Sequence, residues 1–393
     1  MNGRLLGKAA ATALLCWSWP AATVLAQSPA AAGEGAALPA APAASPAGPT
    51  TGTAPAPPAP APTLAGPTPE AGPAASLAAL EAGCAQGVAA DCLSLGELLF
   101  EGRAGLPARP EQARTVLAQA CQLRSGPACT LLGYLLELGI GAAPDLAAAR
   151  TRYRAGCDLG DGRGCSNLAA LLERGGGGPA DEAGARSLFL QGCERGDAEG
   201  CSAAGDLWVD GVGGPADAAR ARELFGRGCR AGSGAGCYGL ALLWADGTGG
   251  PRDLDQARDF FQQACTSGDG RGCNDLGVIF VEGASGQPDP ARAMALFEQG
   301  CTQEEGAACA NLAFMRFAGE GGPRDEAAGR GLLQRACDLG DGEGCFELAE
   351  ALRTGRGGKA DAAGARAAMQ RACEQGSAVA CERVQDAAQQ LRR

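Results

Sequence analysis

Cysteine is the residue type whose spacing in this chain could do chemistry. Leaving Cys16 aside, the cysteines form nine Cys-x7-Cys pairs: Cys84 and Cys92, Cys121 and Cys129, Cys157 and Cys165, Cys193 and Cys201, Cys229 and Cys237, Cys265 and Cys273, Cys301 and Cys309, Cys337 and Cys345, Cys373 and Cys381. Successive pairs lie 36 residues apart, with one interval of 37 between Cys84 and Cys121. Such pairs can close disulfides or hold a metal. Structural zinc sites space their ligands by about two to four residues and commonly include histidine, and this chain has no histidine. No metal and no cofactor are therefore expected, and disulfides are the preferred reading.

The first 26 residues bear on the redox compartment. MNGRLLGK is a basic head, AAATALLCWSWPAATV an apolar run, and Val24-Leu25-Ala26 a small-residue cleavage site, the pattern of a secretory signal peptide. A membrane anchor is the alternative, but the run is short and broken by Pro20. Lipidation at Cys16 is another, with Leu15 where a small residue would normally stand. Removing residues 1–26 leaves the nine pairs in a chain bound for the periplasm or the extracellular space, with no transmembrane span. The Ala, Gly and Arg bias suggests a GC-rich bacterial genome.

Other chemistries find little support. Without histidine there is no Ser-His-Asp or Cys-His arrangement. Lys8 and Lys359 are the only lysines, and no Ser-x-x-Lys motif occurs. Paired carboxylates remain, at positions that helix capping already explains, so no catalytic residue is assigned. The GGGGP and GVGGP runs read as turns between helices, not phosphate loops. A net charge of −11 argues against nucleic acid and anionic membrane surfaces as partners.

The elements that position the cysteines follow from alignment on the second cysteine of each pair. Residues 27–73, almost wholly Ala, Pro, Gly, Thr and Ser, read as a disordered linker. From residue 74 to 393 the chain reads as an all-α solenoid of eight two-helix repeats with half-repeat caps. In the first helices a large apolar residue usually stands three after the cysteine (Leu132, Leu168, Leu276) and precedes Gly or Ala (Gly133, Ala169, Gly277), with a second large group following (Leu136, Trp208, Phe280). A glycine ten after the cysteine, such as Gly139 or Gly283, stops that helix. An aspartate (Asp145, Asp181, Asp217, Asp253, Asp289, Asp325, Asp361) caps the second helix, which carries a large residue (Tyr153, Phe189, Phe225, Phe261, Phe297, Met369) one turn before the next pair. Each Cys-x7-Cys then joins one unit's second helix to the next unit's first, so nine local disulfides are predicted. By loop entropy each contributes roughly 2–3 kcal/mol, useful in a chain with 4% aromatic residues and 63 glycines.

The 36-residue unit with Asn167-Leu168-Ala169 or Asp275-Leu276-Gly277, then G-x-G-G-P-x-D, then A-R-x-L-F, resembles the Sel-one-like repeat, a relative of the tetratricopeptide repeat. Cysteine at both paired positions is similar to the secreted, disulfide-rich Hcp-type proteins. The resemblance spans residues 74–387 and implies a right-handed α/α superhelix with first helices on the concave face. It also implies an adaptor that holds other proteins, with β-lactam binding or slow β-lactam hydrolysis as the enzymatic alternative. The chain departs from the pattern where Asn, two after the cysteine, stands only at Asn167 and Asn311, and where Cys121 to Cys129 lacks the turn glycine. No ligand contact through those asparagines is carried over.

Binding candidates are first-helix side chains that recur across repeats. Five after the cysteine come Asp206, Leu242, Val278 and Phe314; one after it, Tyr238 and Phe346; nine after it, Asp210, Asp246 and Glu282. An apolar stripe beside an acidic ladder suits an extended or helical peptide with a basic edge. Packing of Leu242, Val278 and Phe314 against the neighbouring repeat, with solvated acids, is the alternative. A protein or peptide partner is expected, and a passive envelope spacer stays open.

Overall fold

The computed structural model describes residues 77–102, 107–284 and 286–392. The expected signal peptide (1–26) and linker (27–73) lie outside the described residues. Among those described, the chain forms helices and no strands. A half-unit, α1 (Leu77–Ala85), opens the array. Helix pairs follow: α2 (Ala89–Glu101) with α3 (Pro110–Gln122), α4 (Gly126–Leu138) with α5 (Leu146–Asp158), α6 (Gly162–Glu173) with α7 (Glu182–Glu194), and α8 (Ala198–Asp210) with α9 (Ala218–Arg230). Next come α10 (Gly234–Asp246) with α11 (Leu254–Thr266), α12 (Gly270–Glu282) with α13 (Pro290–Thr302), α14 (Gly306–Ala318) with α15 (Glu326–Asp338), and α16 (Gly342–Thr354) with α17 (Ala362–Glu374). Helix α18 (Ala378–Arg392) closes it. Even-numbered helices of successive units touch one another along most of the array, whereas odd-numbered ones do so only locally. The even set therefore lines the tighter, inner side.

Helix ends form where the residues dictate. The eight glycines ten after a cysteine, Gly102 to Gly355, adopt φ of 67–78°, the left-handed conformation in which a Cβ is costly. All seven capping aspartates accept a backbone N–H from the first turn, as Asp289 does from Arg292 at 3.0 Å. At the turn between cysteines, glycines such as Gly160 and Gly268 take φ of 94° and 91°, while Arg124 (67°) and Glu304 (65°) adopt the left-handed region without glycine's freedom.

The core is a ring seated on a small residue. Tyr153, Phe225 and Phe297 are buried, and a Cβ on Gly133, Gly205 or Gly277 would come within 2.6–2.8 Å of those rings. In the α14–α15 unit the roles are exchanged: Phe317 comes from the first helix and packs on Gly329 of the second. The nine disulfides link the last turn of an odd helix to the first turn of the next even one, with Cα–Cα distances of 4.4–4.7 Å. Several of these junctions are also tied to the following unit. The carbonyl of the first cysteine accepts from the following unit: Gln119 to Cys84 at 3.0 Å, Arg227 to Cys193 at 3.2 Å, Gln299 to Cys265 at 3.3 Å, Arg371 to Cys337 at 3.0 Å.

Arginines hold the loops between helices. Arg186 lies 3.6 Å over the Trp208 ring and donates to the Pro215 carbonyl at 2.8 Å; Arg222 lies 4.0 Å over Trp244 and donates to Pro251 at 3.2 Å. Trp208 and Trp244, expected on the core face, are half-buried and spend one face on these cations.

Candidate functional site

The inner surface of each even helix is set by a spacing of four, three and four residues, which stacks side chains on one helical face. On α12 that face carries Arg271, Asp275, Val278 and Glu282; on α8, Glu199, Ala203, Asp206 and Asp210. On α10 it carries Ala235, Gly239, Leu242 and Asp246, and on α14, Ala307, Asn311, Phe314 and Ala318. The opposite face, with the cysteine and the leucine three after it (Ala204 in α8), is buried. Read across repeats, one row runs Asp206, Leu242, Val278, Phe314, Glu350: three apolar residues with acid at each end.

The structure separates the expected candidates into three sets. Leu242 is 36% exposed, and Phe314 is half-buried on the same row. Val278, also half-buried, leans on the core of Ala293, Phe297, Leu312 and Met315, so for this residue packing against the next unit holds in part. Tyr238 and Phe346 lie off the row and have internal partners. The Tyr238 hydroxyl donates to Asp275 at 3.1 Å, and its ring packs 5.8 Å from Phe261 and sits under Arg271 at 4.3 Å. Arg383 covers Phe346 at 4.8 Å.

The acidic ladder is exposed throughout. Asp210, Asp246 and Glu282 are the last residues of α8, α10 and α12. There the helix macrodipole disfavours negative charge, by about 0.3–1 kcal/mol each, and none of the three forms a salt bridge among the described residues. Helix stability does not account for their placement.

Sequence reasoning missed the charged groups beside this ladder. Arg271 donates to both oxygens of Asp269, at 2.9 and 2.6 Å, and feels Asp206, Asp275 and Glu305 around it. Asn311 donates to Asn274 at 2.8 Å, joining α14 to α12. The same-face offsets of three and seven residues, counted back from Val278 on the expected row, reach Asp275 and Arg271.

Electrostatics reflect crowded carboxylates. Asp206 is open to water along the inner face yet walled in by flanking helices. This desolvation, opposed by Arg271 and reinforced by Asp210, Glu173 and Glu199, pushes its carboxyl up to about 7. Desolvation likewise raises Glu199, Asp275 and Glu305, each against some opposing hydrogen bond or the Arg271 charge.

The repeat architecture can be set beside known proteins. The family model described as "Sel1 repeat" matches seven consecutive units, residues 126–161, 162–197, 198–233, 234–269, 270–304, 306–341 and 342–377. Comparison with curated proteins gives no match. Among solved structures, c5321, a protective antigen of uropathogenic Escherichia coli displaying an SLR fold, aligns at 24% identity and a TM-score of 0.59 over 77% of this chain; this chain spans 65% of that protein's length. A Sel1 repeat protein from Oxalobacter formigenes aligns at 19% identity and a TM-score of 0.54, over 78% of this chain and 88% of that one. Cysteine rich protein B of Helicobacter pylori aligns at 24% identity and a TM-score of 0.29, over 33% and 94%. Sel1 repeats are generally protein-interaction scaffolds, and with unit length, helix pairing and seven matched repeats in agreement, this chain belongs to the Sel1 repeat family.

Proposed function

We propose that the protein is an exported adaptor that holds a protein or peptide partner against the inner face of α8 to α14. The observation that carries this reading is the row Leu242, Val278 and Phe314, an apolar strip on the side of the solenoid that odd-numbered helices do not cover. A spacer needs no such strip, which sets apolar side chains at the same position of three successive units. Export is supported by the leader-like first 26 residues and by nine disulfides, which suit an oxidising compartment. Among the described residues no helix is long and apolar enough to cross a membrane.

Affinity capture from the native host, with quantitative mass spectrometry, tests the reading. Leu242→Ser with Phe314→Ser removes the strip, and Glu223→Ser with Glu298→Ser alters the outer helices by the same number of residues. A partner retained by the outer variant and lost from the inner one is expected. Equal retention by both would sink the inner-face reading.

A further inference from the structure

An inner face with an apolar row, acid at its ends and an acidic ladder along one side constrains what can lie on it. Resting on the adaptor reading, we propose that the occupant is an extended polypeptide segment carrying arginine or lysine beside apolar residues. Its apolar side chains follow Leu242, Val278 and Phe314, and its cations face Asp206, Asp210, Asp246 and Glu282.

Charge complementarity selects this occupant over two others. The chain's own segment 27–76 contains Glu34 and Glu70 and no Lys or Arg, so it offers nothing to neutralise the acids. A second copy would bring an equally acidic inner face to a chain already at −11. A cationic segment meets both features of the face at once. Carboxylates that desolvation and mutual repulsion disfavour gain a counter-charge, and helix-terminal acids that lower helix stability gain a purpose.

The face already shows how it holds a guanidinium. Arg271 is stacked on Tyr238 and doubly bonded to Asp269, the planar, bidentate geometry that favours arginine over lysine. Its charge is thus assigned, leaving Asp206 and the Asp210, Asp246, Glu282 ladder for an external cation.

Spacing points to an extended segment. Helices in contact lie about 8–10 Å apart, and an extended chain advances about 3.3 Å per residue. Every third residue of such a segment therefore meets the same row, and the residues between reach the acidic ladder.

Fluorescence anisotropy with labelled peptides of repeating Leu-Arg-Ala, Leu-Gln-Ala and Leu-Glu-Ala triplets tests this. The arginine peptide should bind about tenfold more tightly than the glutamine peptide, the sum of a few partly exposed ion pairs, and the glutamate peptide least. Neutralising Asp206, Asp210 and Asp246 to Asn should remove that preference. Neutralising Glu223, Asp255 and Glu298 on the outer helices should leave it, with thermal melts confirming that both variants fold. If arginine and glutamine peptides bind alike and Phe314→Ala weakens both, charge selection is overturned while the inner-face site stands. If the outer variant loses the preference equally, attraction is non-specific and the proposal fails. If the arginine peptide does not bind at all, the proposal fails too, and the capture experiment alone decides the adaptor reading.

Discussion

Asp206 concentrates the residue-scale consequences of a crowded inner face. Its raised pKa, caused first by desolvation, with Arg271 opposing and Asp210, Glu173 and Glu199 adding, means that the folded state holds a proton the unfolded chain releases. The stabilising contribution is complete below about pH 4 and is lost as pH rises through about 7. Wild type should lose stability between those limits relative to Asp206→Asn, as measured by denaturant titration across the range; parallel pH profiles would contradict the assignment. Backbone strain gives a second residue-scale prediction. Arg124 and Glu304 stand in the left-handed region where seven other turns have glycine. Arg124→Gly and Glu304→Gly should relieve about 1 kcal/mol each, less the entropy glycine adds to the unfolded chain, seen as a rise in melting temperature with disulfides intact. Of these features, the absent turn glycine at 124 was legible in the sequence. The Tyr238 and Phe346 partnerships were not, because their cations, Arg271 and Arg383, lie in the following unit and reach back on long side chains.

Within an element, the same residue type has opposite effects according to what faces it. A Cβ on Gly277 would meet the Phe297 ring at 2.6 Å, whereas one on Gly331, in the exposed part of α15, meets nothing within 4 Å. Gly277→Ala should therefore destabilise by about 1–3 kcal/mol through overpacking. Gly331→Ala should stabilise by about 0.5–1 kcal/mol through helix propensity. Thermal denaturation of the two variants should move in opposite directions, and a shift of the same sign would contradict the ring-on-glycine core. Helix count, stops, caps and the local disulfides were all readable because they depend on residues within one unit. The exchange of Phe317 and Gly329 between α14 and α15 was not, since each position looks anomalous alone and they compensate only in contact. The register ties from Gln119, Arg227, Gln299 and Arg371 to cysteine carbonyls were hidden for the same reason: they span about one repeat and use side chains that are usually assigned to solvent.

Along the described array, nine staples at regular intervals join each unit's thin core to the next. If each bridge is local, alkylation of the chain isolated from its native host, under denaturing, non-reducing conditions, should find no free thiol among Cys84 to Cys381. Two or more would break the pairing. Stacking of successive even-numbered helices is what lets side chains 36 residues apart act as one row, and the row is the centre of the functional account. Photo-cross-linking in the native host tests it most directly, with a photoreactive residue in place of Phe314 on the inner face and, separately, of Glu223 on the outer helix. The account predicts a discrete protein adduct from position 314 that is absent from position 223, with the cross-linked peptide of the partner rich in arginine or lysine. No adduct at 314, or the same adduct at both positions, would contradict it.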